Sequence, residues 1–290
     1  MKIFLNIIKF ILAIIVTVCI VLFVGCNVAS STILSKEFIL NKLEENNYYA
    51  NTYTAVKEDF ENYIYQSGLD EEVLENIVTQ EKIQKDTETI INNIYDGTNE
   101  EIDVTEIENN LNNNINNSLN SRITATQQKA IDEFVKQITE QYKETISHTS
   151  FEDSINNMMQ KAHKLIELGQ KVSIIGISVG ILLILILSYK DILRGFSMAG
   201  VSMLASGIFY IFVNILVNAK VKIDTITILN DAISITLRDV LNSVLGLLTT
   251  YGYILLGVGF VVILVFNILN GIKNRKTSEN IWNKEKLWRN

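Results

Sequence analysis

Apolar residues along the 290-residue chain gather into four long runs, at residues 3–24, 172–187, 198–217 and 247–269. At 1.5 Å per residue, each approaches the length a helix needs to cross a hydrocarbon core about 30 Å thick, the second with a few flanking residues. The last three runs hold no Asp, Glu, Lys, Arg or His. A soluble buried helix of that length shows a polar stripe, so four transmembrane helices are predicted.

Between the first and second runs the apolar positions recur near the helical period. Phe38, Tyr49, Tyr53, Val56, Phe60, Tyr63 and Ile64 predict one helix over 35–66, broken at Gly68. A short acidic helix over 69–78 follows, and Thr79 caps another that carries Ile83, Ile90, Ile91 and Ile94. Residues 95–99 form a turn around Gly97. Asp103 and Glu106 mark a helix start, with Ile107, Leu111, Ile115, Leu119 and Ile123 at four-residue steps through an asparagine-rich tract. Asparagine is a poor helix former, so this element requires tertiary contacts. Ile131, Phe134, Val135, Ile138, Tyr142 and Ile146 define the next helix. Ser150 and Asp153 cap one that runs unbroken through the second span to 187. Ile226, Leu229, Ile233, Leu237, Val240, Leu241 and Val244 give an amphipathic outer helix over 222–246 that leads into the fourth span.

The period-2 alternation of strands is nowhere sustained, and the absence of proline suits long helices. The predicted fold is all-α: an integral membrane protein with four transmembrane helices and a helical extracytoplasmic domain inserted between the first and second. Residues 1–28 form the N-terminal transmembrane helix and 29–171 the acidic domain. Residues 172–270 form a three-helix membrane region with a cytoplasmic link at 188–197, and 271–290 a basic cytoplasmic tail.

Charge orients this scheme. Residues 31–171 carry 26 acidic and 12 basic side chains, whereas 271–290 carry six basic and two acidic. Lys2 and Lys9, then Lys190 and Arg194, then Lys273, Arg275 and Lys276 place both termini and the 188–197 link inside. Lys220, Lys222 and Arg238 are a weaker opposing signal. The first segment has the basic start and apolar centre of a secretory signal, and Gly25-Cys26 resembles a lipoprotein processing site. Its apolar run is long for a signal core, so a retained helix is expected; lipidation at Cys26 and plain cleavage are the alternatives.

Candidate chemistry is sparse. His148 and His163 lack metal-site spacing, and no phosphate-cradling loop is present. Residues 96–103 do not reproduce the ligand positions of a calcium loop. Asp70, Glu71, Glu72 and Glu75 read as a favourable helix start or a docking surface for a basic partner. No cofactor, metal, nucleotide or nucleic acid is expected. Gly176 with Gly180, and Ser202 with Ser206, are small-residue pairs that let membrane helices pack closely. Asn214 and Asn267 are expected to bond between helices. Trp282 and Trp288, among basic residues, are candidate membrane-surface anchors. The expected function is a non-enzymatic membrane scaffold or accessory subunit. Its partners would be membrane lipids and another envelope protein or itself as a homo-oligomer; an oligomeric channel or transporter component is the alternative.

Overall fold

The computed structural model describes the backbone of residues 2–119, 124–147, 152–228 and 231–288, with their side chains except those of residues 2, 66, 152–157 and 276–288. Among the described residues the chain is all-helical, without strands. It forms two compact units. One comprises Met1–Ser31, Lys164–Thr225 and Leu241–Asn290, the other Thr32–His163 with Ile226–Val240.

The first unit is built on α1 (Lys2–Ser31), α7 (Glu152–Leu187) from Lys164 onward, α8 (Ile192–Lys220) and α9 (Asp231–Trp288) from Leu241 onward. All four are long and apolar enough to cross a membrane. Ala13, Val16, Ile20, Val24 and Val28 bury one face of α1, at the three- and four-residue steps that keep side chains on one side of a helix. A short 3-10 turn, Tyr189–Asp191, joins α7 to α8.

The second unit is a helical bundle with a main core and a smaller buried cluster around Leu43, Tyr48 and Tyr49. Ser35 caps α2 (Lys36–Glu45), its Oγ accepting the Phe38 N–H at 3.3 Å. The single helix expected over 35–66 is divided here. Asn47 adopts the left-handed conformation, φ 52°, between α2 and α3 (Tyr48–Ser67). Asparagine tolerates that region better than most residues, and the Asn46 side chain donates to the Lys42 carbonyl at 2.8 Å. Gly68, φ 74°, closes α3. Residues 69–78 also depart from expectation: only a 3-10 turn, Glu71–Leu74, forms. Asn76 lies at φ 55°, and Val73, Ile77 and Val78 are all buried, which adjacent positions 77 and 78 would not both achieve easily on one helical face.

Thr79 caps α4 (Gln80–Asp96) through the Lys82 N–H at 3.1 Å, and Gly97, φ 71°, ends it. α5 (Thr105–Ser118) buries Ile107, Leu111 and Ile115. α6 (Ala125–Ser147) buries Ile131, Val135, Ile138, Tyr142 and Ile146. These pack with Val56, Phe60, Ile64, Ile83 and Ile90. Ile123, Ser150 and Leu229 lie outside the described residues. The outer helix expected over 222–246 starts only at Asp231, after a 3-10 turn at Ile223–Thr225. Its Ala232 and Ile233 cover Leu43, Tyr48 and Tyr49.

Candidate functional site

In the membrane unit, α8 presents three hydroxyls to α1. Ser202 Oγ donates to the Ala13 carbonyl at 2.9 Å and Ser206 Oγ to the Thr17 carbonyl at 3.2 Å. Tyr210 donates to the Val21 carbonyl. Both sets advance by four residues in the same direction, so α1 and α8 run parallel. The glycines of α7 meet α1 in the opposite sense. A Cβ on Gly169 would stand 2.8 Å from Cys26 Sγ, one on Gly176 2.5 Å from Cys19 Sγ, and one on Gly180 2.5 Å from Val16 Cγ2. Gly176, Gly180, Ser202 and Ser206 thus all serve contacts within the chain.

A further set of close approaches escaped the sequence reading. A Cβ on Gly200 would lie 3.0 Å from the Gly259 carbonyl oxygen, and one on Gly207 2.6 Å from that of Gly252. Each pair is seven residues apart on its own helix, and the order reverses between helices, so α8 and α9 are antiparallel. The signal was present as that seven-residue spacing. Phe196 and Phe266 stack at 4.8 Å in the same contact, and Ser197 Oγ reaches Asn267 Oδ1 at 3.5 Å. Asn214 instead accepts from Asn218 on its own helix, at 2.8 Å.

In the helical unit, buried and half-buried polar side chains knit elements together. Asp86 is 3% exposed; it pairs with Lys82 at 2.5 Å and accepts the Tyr142 hydroxyl at 2.6 Å. Burial, and then that bond to Asp86, hold the Tyr142 pKa above the ordinary tyrosine range. Asn93 organises the loop after α4. Its Oδ1 accepts from Thr98 Oγ1 at 2.8 Å and the Glu100 N–H at 2.9 Å, while its Nδ2 donates to the Glu100 carbonyl at 2.9 Å. Asn114, from the asparagine-rich helix, donates to the carbonyls of Val73 and Glu75, both at 3.0 Å. Asp239 accepts from Asn46 at 2.9 Å and pairs with Lys42 at 3.1 Å; the Asn46 bond is the first cause of its lowered pKa. Tyr95 donates to the Ile33 carbonyl at 2.5 Å, and burial pushes its pKa up to about 12.

Two of the four acidic residues of the 96–103 stretch have structural uses. Asp96 pairs with Lys36 at 2.6 Å, and Asp103 Oδ1 accepts the Thr105 N–H at 3.0 Å. Glu71, Glu72 and Glu75 line a concavity of about 560 Å³ with Glu61 and Lys57, over Tyr53 and Phe60. Four glutamates against one lysine make its lining net negative. His163 is exposed, with Nδ1 3.1 Å from the Met159 carbonyl. Among the described residues no group of His, Cys, Asp and Glu could hold a metal ion. His148 lies outside the described residues, as do the side chains of Trp282 and Trp288. Cys26 sits inside α1, half-buried. No protein-family model, curated protein or solved structure matches the chain.

Proposed function

We propose that this protein is a non-enzymatic membrane scaffold or accessory subunit of the bacterial cell envelope, whose acidic helical domain contacts another envelope protein or a second copy of the chain. The observation that carries the reading is the structural use made of polar side chains, Asp86 and Asn93 buried and Asn114 and Asp239 half-buried. Asp86, Asn93, Asn114 and Asp239 each close a contact between elements. What such a bundle offers a partner is a shaped, acidic helical surface, including the glutamate-walled concavity over Tyr53 and Phe60.

In this reading both termini are cytoplasmic and residues 29–171 lie outside. The basic clusters beside the spans support that orientation. The alternating directions of α1, α7, α8 and α9 accord with four successive crossings. α1 is retained: processing at Cys26 would remove Ala13, Thr17 and Val21, whose carbonyls receive the three α8 hydroxyls. An oligomeric channel or transporter component draws no support from Ser202 and Ser206, because both hydroxyls are turned toward α1.

The reading is tested by crosslinking in intact cells, followed by native separation and mass spectrometry of gently solubilised membranes. A defined complex is expected. Reproducible recovery of a lone monomer would overturn it.

A further inference from the structure

Lys9 is the one charged residue inside the apolar run of α1, and the contacts of that helix fix where it stands. Ala13, Thr17 and Val21 each take a hydroxyl from a residue 189 positions further on, namely Ser202, Ser206 and Tyr210. The same offset sets Lys9 level with Met198, which packs in the cluster that holds Ala13. Lys9 lies one turn before Ala13 on the stripe that meets α8, and it is half-buried there. Arg194 lies two turns before Ser202 on the stripe of α8 that meets α1. The two side chains therefore start from facing stripes, about 6 Å apart along the helix axes.

Like charges so placed repel, the more strongly as hydrocarbon replaces water around them. An anion between them relieves the repulsion, and the protein does not supply one. Among the described residues neither Lys9 nor Arg194 enters an ion pair, and nor does Asp191, the acidic residue of the α7–α8 turn. Lys171, toward the other end of α7, is by contrast paired with Glu167 at 2.6 Å. Lys190, in the same turn as Asp191, is exposed, with Nζ 5.5 Å from the centre of the Tyr189 ring. All of these residues belong to one compact unit.

The surroundings identify the medium. Ile7, Phe10 and Ile11 around Lys9, and Ile192 beside Arg194, are exposed apolar side chains, so the cations stand at the margin of the apolar surface. Lipid phosphates lie at that margin of a bilayer, and the exposed Tyr189 ring suits the same depth. Ammonium and guanidinium both donate to phosphate oxygens, the guanidinium through two parallel bonds.

We propose that the phosphate of an anionic phospholipid lodges between Lys9 and Arg194, with Lys190 beside it. A headgroup without an amine is specified, because the ammonium of a zwitterionic lipid adds a fourth positive charge to these three. The site belongs to the membrane unit alone and does not depend on a protein partner of the helical unit.

The same cations orient the chain during insertion, so the test removes orientation. The full-length chain is purified in mild detergent and titrated with phosphatidylglycerol or phosphatidylcholine of matched acyl chains, and native mass spectrometry reads the lipid retained. Phosphatidylglycerol should be retained at lower concentration. Lys9→Gln and Arg194→Gln should each weaken its retention about fivefold and leave phosphatidylcholine unchanged. Arg194→Lys should lose less than Arg194→Gln, and Lys220→Gln, exposed at the other end of α8, should lose nothing. Equal retention of the two lipids by the parent chain overturns the site without any variant, as does a loss at Lys220→Gln matching that at Lys9→Gln. Thermal unfolding separates binding from misfolding. Phosphatidylglycerol should raise the parent's midpoint, and Lys9→Gln should lose that rise while keeping the parent's midpoint in detergent alone. An undiminished rise in Lys9→Gln counts against the site, and an equal rise with inorganic phosphate ends the lipid assignment.

Discussion

Gly207 and Gly252 approach so closely that a Cβ on Gly207 would stand 2.6 Å from the Gly252 carbonyl oxygen, with Leu256 N at 2.7 Å. The obstacle is backbone on both counts, so rotamer changes cannot relieve it. Gly207→Ala must push α8 and α9 apart, at a cost of about 1–3 kcal/mol. Gly257→Ala is the control, because no heavy atom lies within 4 Å of a Cβ there. Thermal unfolding in mild detergent should show a lower midpoint for Gly207→Ala and an unchanged or raised one for Gly257→Ala.

The asparagine-rich helix gives a prediction of opposite signs. Replacing asparagine by alanine raises helix propensity by a few tenths of a kcal/mol. Asn113 is exposed, so Asn113→Ala should leave stability unchanged or slightly higher. Asn114 satisfies the carbonyls of Val73 and Glu75, so Asn114→Ala should cost about 1–2 kcal/mol despite the better propensity. Proteolysis near residues 69–78 should rise only in the second variant.

These cases show what the sequence could disclose. Apolar periodicity located the spans, α4, α5 and α6, because a face such as Ile107, Leu111 and Ile115 announces its burial through spacing alone. Thr79, Gly68 and Gly97 were equally legible as local signals. The break at Asn47 was hidden because the apolar pattern continues across it, and an asparagine at φ 52° looks like any other asparagine. The 69–78 segment was misread because its acidic residues resemble a helix start, while the support it receives comes from Asn114, far along the chain. For the same reason, the roles of Asp86 and Asn93 depend on partners that no linear spacing reveals.

Removing the Asn93 amide by Asn93→Ala should loosen the loop that follows α4. Three hydrogen bonds are lost together, and about 1–3 kcal/mol of stability with them. Amide hydrogen exchange at residues 97–104 should accelerate, while exchange in α6 changes little.

The helical unit should be most stable in a middle range of pH. Asp239 has a lowered pKa, held first by Asn46 and then by Lys42. Its contribution is present above the unfolded carboxylate value of about 3.9 and is lost as pH falls through the lower folded value. Tyr95 has its pKa pushed up to about 12 by burial. Its contribution is complete below the unfolded value of about 10 and disappears as pH rises through the folded one. Exchange of the α2 amides should increase at the acid end, and Asp239→Asn should flatten that limb. Ultraviolet titration of Tyr95→Phe should lose a late-ionising phenol.

The intact mass of the protein taken from native membranes tests the retention of α1. An unprocessed chain is expected. A species beginning at Cys26 and carrying acyl chains would show that the α1 carbonyls facing Ser202, Ser206 and Tyr210 are absent from the mature protein.

Residues Ile226–Val240 belong to the same compact unit as Thr32–His163, yet α7 and α8 are synthesised between them. On a ribosome that emits the chain from its N-terminus, the bundle waits with Leu43, Tyr48 and Tyr49 uncovered until Ala232 and Ile233 arrive. Maturation of the domain is thereby tied to the passage of two further helices, and a chain halted before residue 226 is born incomplete at a place far from its broken end.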